Sequence, residues 1–411
     1  MRHSTDHILT SHAGSLPRTP ELIAANEARS FTDDGFTLTS TPEFEGLLTE
    51  AVTDIVARQK AIGIDVPNDG EYGKAMSSAV DYGAWWTYSF QRTGGLELTE
   101  FNPISAEAVR SEPGHIRLTS FADRRDWTRF SEAYQDPTSG IALGKNATAF
   151  PTCTGPLSYT GQEAISRDIS NLKHALAASE LSEGFITSLS PGSASRIGNE
   201  YYATEEEFIW AWAEVLREEY RAITDAGLVV QIDDPSIAEN WDQINPEPSV
   251  EDYLAFTRIR IEALNHALRG IPEEQVRFHL CWGSWHGPHT TDLELKHLVD
   301  AMLSINAGGY SFEAANARHE HEWRVWESAK LPEGKVLIPG VVSHATNVVE
   351  HPELVAERIE RFTGLVGREN VIASTDCGLG GRIHPQIATA KLAALGDGAR
   401  IASQRLWTRG R

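Results

Sequence analysis

His279 and Cys281, in the run Arg277-Phe278-His279-Leu280-Cys281-Trp282-Gly283, set an imidazole and a thiol two residues apart at the end of an apolar, strand-like stretch. Alternate side chains of an extended strand share a face, so both would point at one ion or one substrate. Glu313 ends the run Gly309-Tyr310-Ser311-Phe312, and Cys377 ends Val371-Ile372-Ala373-Ser374-Thr375-Asp376. Nitrogen, sulfur and carboxylate donors together suit a borderline-soft zinc ion. Any one of the four alone reads as a core histidine, a small buried thiol or a solvated carboxylate; all four at strand ends in one half of the chain read as a metal site. Structural zinc more usually pairs Cys-x-x-Cys knuckles, so the dispersed set points to a catalytic ion. Cys153, the remaining cysteine, precedes the turn Gly155-Pro156 and is expected to be buried rather than reactive. Three cysteines do not make a disulfide framework.

The elements that must position these residues are short β-like runs alternating with amphipathic helical stretches, the pattern of parallel strands joined by crossover helices. Nine such runs can be marked, around 7–12, 64–71, 148–153, 184–189, 228–235, 277–283, 309–313, 335–342 and 371–377. Helices are expected over 42–62, 162–177, 204–226, 250–268, 291–306, 352–366 and 386–406, the third opening on Thr204 as N-cap with Glu207 completing a capping box. The expected fold is α/β: a single (β/α)8 TIM barrel spanning 1–411, with an aromatic-rich insertion after the second strand at about 73–147. Nine runs exceed the eight staves by one, and 184–189 is taken as the extra piece. The aromatics of 82–90 are expected to pack in the core.

A formal net charge of −22 argues against nucleic acid and against an anionic membrane surface as partners, because either needs a basic patch. The N-terminus carries no long apolar segment, and nowhere do about 18 uncharged apolar residues run together as a membrane span requires. A cytoplasmic location is the expectation.

Motifs spread over nearly the whole chain carry a resemblance: Gly14-Ser15-Leu16-Pro17, Asn68-Asp69-Gly70-Glu71, Thr154-Gly155-Pro156, Gln231-Ile232-Asp233-Asp234-Pro235, His279-Leu280-Cys281, Ser311-Phe312-Glu313, His344-Ala345-Thr346-Asn347 and Asp376-Cys377-Gly378-Leu379. In these the sequence resembles the cobalamin-independent methionine synthase family, in its zinc-bearing C-terminal barrel, and most of all the short single-barrel members. The resemblance implies that His279, Cys281, Glu313 and Cys377 hold Zn(2+), which binds a small-molecule thiol as thiolate for alkylation. It implies that Ser15, Glu71 and Asp233 position an amino-acid thiol, with backbone near Gly14 at its carboxylate, and that His344 is the acid/base histidine. The implied reaction is methyl transfer from a 5-methyltetrahydrofolate-type donor to homocysteine, and the resemblance is compatible with a homo-oligomer.

The sequence departs from the family after Thr154-Gly155-Pro156, where a pterin-stacking tryptophan is replaced by Leu157-Ser158-Tyr159-Thr160-Gly161. The alkyl donor is therefore left open, and an epoxyalkane:coenzyme M transferase-like alkylation, demethylation of another donor, or a zinc-binding protein without turnover stand as alternatives. Retention of all four ligand types speaks against a zinc-free relative of the uroporphyrinogen decarboxylase kind. His286, His289, His319 and His321 are read as polar loop residues or caps ahead of a second metal site, and His12 as a residue near the centre.

Overall fold

A computed structural model of the chain describes residues 1–75, 84–141 and 150–408. Its ten strands are β1 (Leu9–Thr10), β2 (Thr93–Leu98), β3 (Pro151–Tyr159), β4 (Phe185–Leu189), β5 (Gly198–Asn199), β6 (Val229–Asp234), β7 (Val276–Leu280), β8 (Gly309–Phe312), β9 (Val336–Val342) and β10 (Ile372–Thr375). Seven of them form one parallel sheet in the order β1-β10-β9-β8-β7-β6-β4. Its two edges are joined by the segment at 65–68. The amides of Asp65 and Val66 donate to Thr10 O on one side. On the other, Asn68 bridges Phe185 in parallel. The result is a barrel of parallel staves, with each helical crossover on the outside.

Strands buried on both faces read as continuous apolar runs, and every residue of β4, β7, β8 and β9 is buried. This corrects the assignment of the surplus run. The stretch 185–189 is a barrel stave. The run at 148–153 falls partly outside the described residues, and β3, which contains its end, pairs antiparallel with β2 and parallel with β5 in a separate three-stranded sheet. The physical difference is visible in burial: only the first part of β3 is covered, while its later residues alternate towards solvent. A run that must face helices on one side and side-chain layers on the other cannot do that.

Of the aromatic stretch 82–90, residues 82 and 83 lie outside the described residues; Trp86 packs against Phe90, Phe121 and Phe150. The accessory sheet is fixed to the barrel by buried charge. Arg92 donates to Glu219 Oε2 at 2.9 Å and to Asp168 Oδ2 at 2.6 Å. Tyr88, Tyr159 and Ser188 donate to the same Glu219 carboxylate. The helices fall close to expectation, at Pro42–Ala61, Gln162–Ala178, Glu205–Asp225, Val250–Ala267, Leu295–Leu303, Pro352–Val366 and Pro385–Thr408. Thr204 caps Glu207 N as expected, but the Glu207 carboxylate reaches back to Ala203 N rather than to the cap residue itself. No helix among the described residues is long and apolar enough to cross a membrane.

The ends of β9 and β10 meet closely. A Cβ on Gly340 would lie 2.2 Å from Asp376 Oδ1 and 2.5 Å from its Cα. The register between these strands also shifts between Ser374 and Thr375, the kind of irregularity that re-aims a side chain at a barrel rim. Gly340→Ala is therefore expected to destabilise the fold by about 1–3 kcal/mol in denaturant unfolding and to weaken metal retention through Cys377. Unchanged stability and metal content would show that the contact at Gly340 does not matter.

Candidate metal and substrate site

The parallel register delivers chemistry to one rim. His279 sits near the end of β7, Cys281 just past it, Glu313 just past β8, and Cys377 two residues past β10. All four are buried. One ligand atom each from His279, Cys281 and Cys377 lies within 4.8 Å of the others. The two sulfurs stand 3.9 Å apart, far longer than a disulfide of about 2.05 Å. With metal–sulfur bonds of about 2.3 Å, two tetrahedral sulfurs stand roughly 3.8 Å apart. The spacing is that of one shared ion.

The imidazole is turned to match. His279 Nδ1 shares a hydrogen bond of 2.9 Å with Ser311 Oγ, which leaves Nε2 facing the thiols; Nε2 is buried and has no hydrogen-bond partner among the described residues. Fixing one ring nitrogen so that the other can ligate is the usual arrangement around a metal-bound histidine. The two thiols share a proton. Their mutual hydrogen bond holds Cys281 protonated, well above the ordinary thiol value, and the same bond drops Cys377 well below it. On His279, burial opposes the charged form, but the Cys377 thiol outweighs it and raises the ring's pKa. Gly283 N donates to Cys281 Sγ at 3.3 Å. Gly283 itself has a backbone φ of +84°, and a Cβ there would run into the Trp285 ring.

Glu313, the hardest of the four implied donors and the one expected to loosen when a substrate sulfur enters, is arranged differently from the other three. It stands beside the three-residue group and outside it. Its carboxylate accepts from Trp282 N at 3.1 Å and from Asn316 Nδ2 at 2.8 Å. Burial raises its pKa to about 8, and neighbouring Asp376 and Cys377 push the same way. Asp376 ties this loop to β10. Its Oδ1 accepts from Ala314 N and Ala315 N at 2.7 and 2.8 Å, and its Oδ2 accepts from Asn316 Nδ2 at 3.1 Å. Sequence reading quoted the motifs holding Ser311 and Asp376 without giving either residue a task; the signal was that both sit inside strand-end motifs next to ligands.

Asp233 lies at the end of β6, and Glu71 lies in the turn that follows the bridge at Asn68. Glu71 is buried with φ +59°, a left-handed conformation that a non-glycine residue adopts only when its surroundings impose it. Thr187 Oγ1 donates to its Oε1 at 2.8 Å, and Lys74 Nζ lies 3.7 Å from its Oε2. Gly14 passes so close that a Cβ would sit 2.5 Å from Glu71 Oε1. Asp233 pairs in register with His279 across β6 and β7 and accepts from Gln231 Nε2 at 2.7 Å. Loss of surrounding water raises its pKa to about 7, with His279 working against the shift and Glu71 adding to it. Ser15 is half-buried, and its carbonyl accepts from Leu379 N and Gly380 N at 2.8 Å, which locks the first loop onto the segment following Cys377. His344, two residues past β9, is buried, and burial pushes its pKa down to about 3, so the ring is neutral.

The other histidines sort differently. His12 places Nε2 on Gln59 Oε1 at 2.7 Å and Nδ1 on Gly14 N at 3.2 Å, so its ring is occupied within the fold. His321 is exposed. His289 lies in a loop and His319 at the cap position of the 3-10 turn Glu320–Glu327, as expected; beyond that they share Asp292, and His319 also meets Glu322, in a network at 2.7–3.2 Å. Despite burial, these carboxylates raise His289 to about 9 and His319 to about 10. The group at His279 is the only close metal-ligating cluster found among the described residues. Cys153 is buried as expected, and burial raises its pKa.

Comparison with known proteins shows the fold and the family. Over the full length, the fold matches the solved structure of a B12-independent methionine synthase from Shewanella sp. W3-18-1, with a TM-score of 0.69 at 20% identity, covering 98% of this chain and 99% of that one. Residues 164–400 match the family described as cobalamin-independent synthase, catalytic domain, and the chain belongs to that family. It is 27% identical to the methionine synthase of Thermococcus kodakarensis over 52% of this chain and 55% of that protein, so the match spans about half of that relative's length. It is 23% identical to the 2-hydroxypropyl-CoM lyase of Xanthobacter autotrophicus over 97% of this chain and 96% of that protein.

Metal binding here should displace protons from the thiol pair and stoichiometrically load one zinc per chain, because ligating thiols are deprotonated. Cys377→Ser is expected to lose that zinc while Cys153→Ser keeps it, as read by elemental analysis after dialysis. A Cys377→Ser chain that retains one zinc would remove the site assignment.

Proposed function

We propose that this protein transfers a methyl group to the sulfur of homocysteine, giving methionine, with Zn(2+) held by His279, Cys281 and Cys377 and with Glu313 as the adjustable fourth ligand. The observation that carries the reading is the buried imidazole and two thiols at ligand spacing, with Nε2 of His279 turned towards them. Zinc bound there would supply Lewis acidity that keeps the substrate sulfur as thiolate at neutral pH. Glu313 suits a ligand that comes and goes, because its oxygens already have partners in Trp282 N and Asn316 Nδ2.

The residues around this cluster favour an amino-acid thiol. Glu71 and Asp233 bring two carboxyl groups to the rim; Lys74 lies beside the first, and burial disfavours the charged form of the second, which an incoming ammonium would restore. Ser15 and the turn at Gly14 lie beside the Cys377 loop, where they would meet the amino acid's own carboxylate. In the transfer, the S–CH3 bond forms as the donor's N–CH3 bond breaks, and the proton lost by the thiol ends on the donor nitrogen. His344 is the group placed to carry that proton. Its neutral ring can accept and release one during turnover, and the proton comes with the substrates rather than being stored on the ring. A 5-methyltetrahydrofolate-type compound is the donor this reading implies.

A second reading has specific support. The relative aligned over 97% of the chain is named a 2-hydroxypropyl-CoM lyase, so a thiol bearing a sulfonate, alkylated by an epoxide, would be the competing chemistry. The acidic pair Glu71 and Asp233 weighs against a thiol that has an anion and no ammonium.

Crossing homocysteine, coenzyme M and glutathione against methylfolate, methyl ethers and epoxides separates these readings by thiol consumption. Turnover of homocysteine with a methyl donor is expected. Turnover of coenzyme M with epoxide and none of homocysteine would overturn the proposal. His344→Ala is expected to keep its zinc and lower kcat by about 10²- to 10⁴-fold, the usual contribution of a general acid or base. Asp233→Asn should instead raise KM for homocysteine, and an unchanged KM would remove Asp233 from the substrate site.

A further inference from the structure

We propose that a buried ion pair between Lys391 and Glu350 sets the direction of His344, making both of them positioning residues for the transfer step. The inference rests on the acid–base reading of His344 above. His344 follows β9, and its Nδ1 is buried with no hydrogen-bond partner among the described residues. No bond at that nitrogen aims the ring, and the constraint the structure does show acts on the backbone that carries it.

That backbone is held from a distance. Ser343 N donates to Glu350 Oε1 at 2.8 Å. The other oxygen of the same carboxylate, Oε2, accepts from Lys391 Nζ at 2.9 Å. Lys391 Nζ also donates to Val348 O at 2.6 Å. Ser343 Oγ accepts from Ala345 N at 3.1 Å, so the backbone on both sides of His344 is tied. The imidazole of His286 adds a hydrogen bond to the His344 backbone. One ammonium on the last helix thus fixes the far end of a loop, and one carboxylate passes the constraint to its near end.

The contrast in exposure shows where the constraint lies. Lys391 is 0% exposed and Glu350 8%, while Val348, in the loop between Ser343 and Glu350, is 71% exposed. The loop tip is in solvent and its two anchors are in the core. Burying a lysine and a glutamate costs desolvation that a well-packed apolar pair would avoid. What the charged pair adds is direction, because a carboxylate with its two oxygens committed to different partners cannot rotate.

The test is Lys391→Met combined with Glu350→Gln, which keeps volume and leaves no lone buried charge. Zinc content should be unchanged and the homocysteine KM should stay within about twofold, while kcat falls about tenfold or more, as a displaced proton carrier predicts. Hydrogen exchange at the Ser343 amide should speed up. On a His344→Ala background the same pair of changes should cause no further loss, since residues acting through one group are not additive. Lys391→Arg, which can reach the same two acceptors, should restore most of kcat. A double variant with unchanged kcat, or one that loses as much again on the His344→Ala background, would overturn the proposal. A His344→Ala enzyme with full kcat would instead remove the acid–base reading and leave the clamp as architecture. If that double variant does not fold, Lys391→Leu combined with Glu350→Gln, which again leaves no lone buried charge, carries the test, with reduced kcat expected and unchanged kcat contradicting it.

Discussion

Two thiols and an imidazole converge in the barrel rim where water is excluded, and the rest of the structure depends on keeping them there. Polar groups removed from water must find partners. Among the described residues the thiols meet each other, the Gly283 amide and the His279 ring, and no carboxylate or water-facing group completes the set. Such an arrangement is costly for a protein to maintain as a resting core, and it becomes favourable when one cation accepts all three lone pairs. The parallel register makes the convergence available, because every stave ends at the same rim.

Around that centre the fold uses carboxylates as pins rather than as solvent-facing charge. Asp376 ties the loop carrying Glu313 to the strand carrying Cys377. Asp292 and Glu322 hold His289 and His319 as buried cations beneath Trp282 and Trp285. Glu219 holds Arg92 and thereby the accessory sheet. Breaking a buried pair of this kind typically costs about 3–5 kcal/mol because the surviving partner is left uncompensated. The distribution explains how a chain of net charge −22 can carry a polar interior: many of its acids are structural.

The metal group and most of the barrel were legible in the sequence, because a His-x-Cys pair at the end of an apolar run has few other readings and strand ends converge by topology. Two matters were not legible. The choice of 148–153 over 184–189 as a stave failed because both are short apolar runs, and only partners distinguish a stave buried on both faces from a strand with one wet face. For Glu313 the motif implies a ligand that loosens, while the hydrogen bonds that hold its oxygens come from Trp282 and Asn316, and their geometry is tertiary. The charged state of His289 and His319 was hidden for the same reason, since Asp292 is their shared partner only in three dimensions. His344 was found by motif, while its neutral state and its anchoring through Glu350 and Lys391 come from burial and from a helix far along the chain.

The central claim is that His279, Cys281 and Cys377 hold a zinc ion whose open position takes the sulfur of an amino-acid thiol. Zinc-edge X-ray absorption on the zinc-loaded protein, with and without homocysteine, tests it most directly. The account predicts two sulfur neighbours at about 2.3 Å in the free protein and three after homocysteine is added, with an oxygen neighbour lost in exchange. A zinc shell that lacks sulfur, or one that homocysteine leaves unchanged, would contradict it.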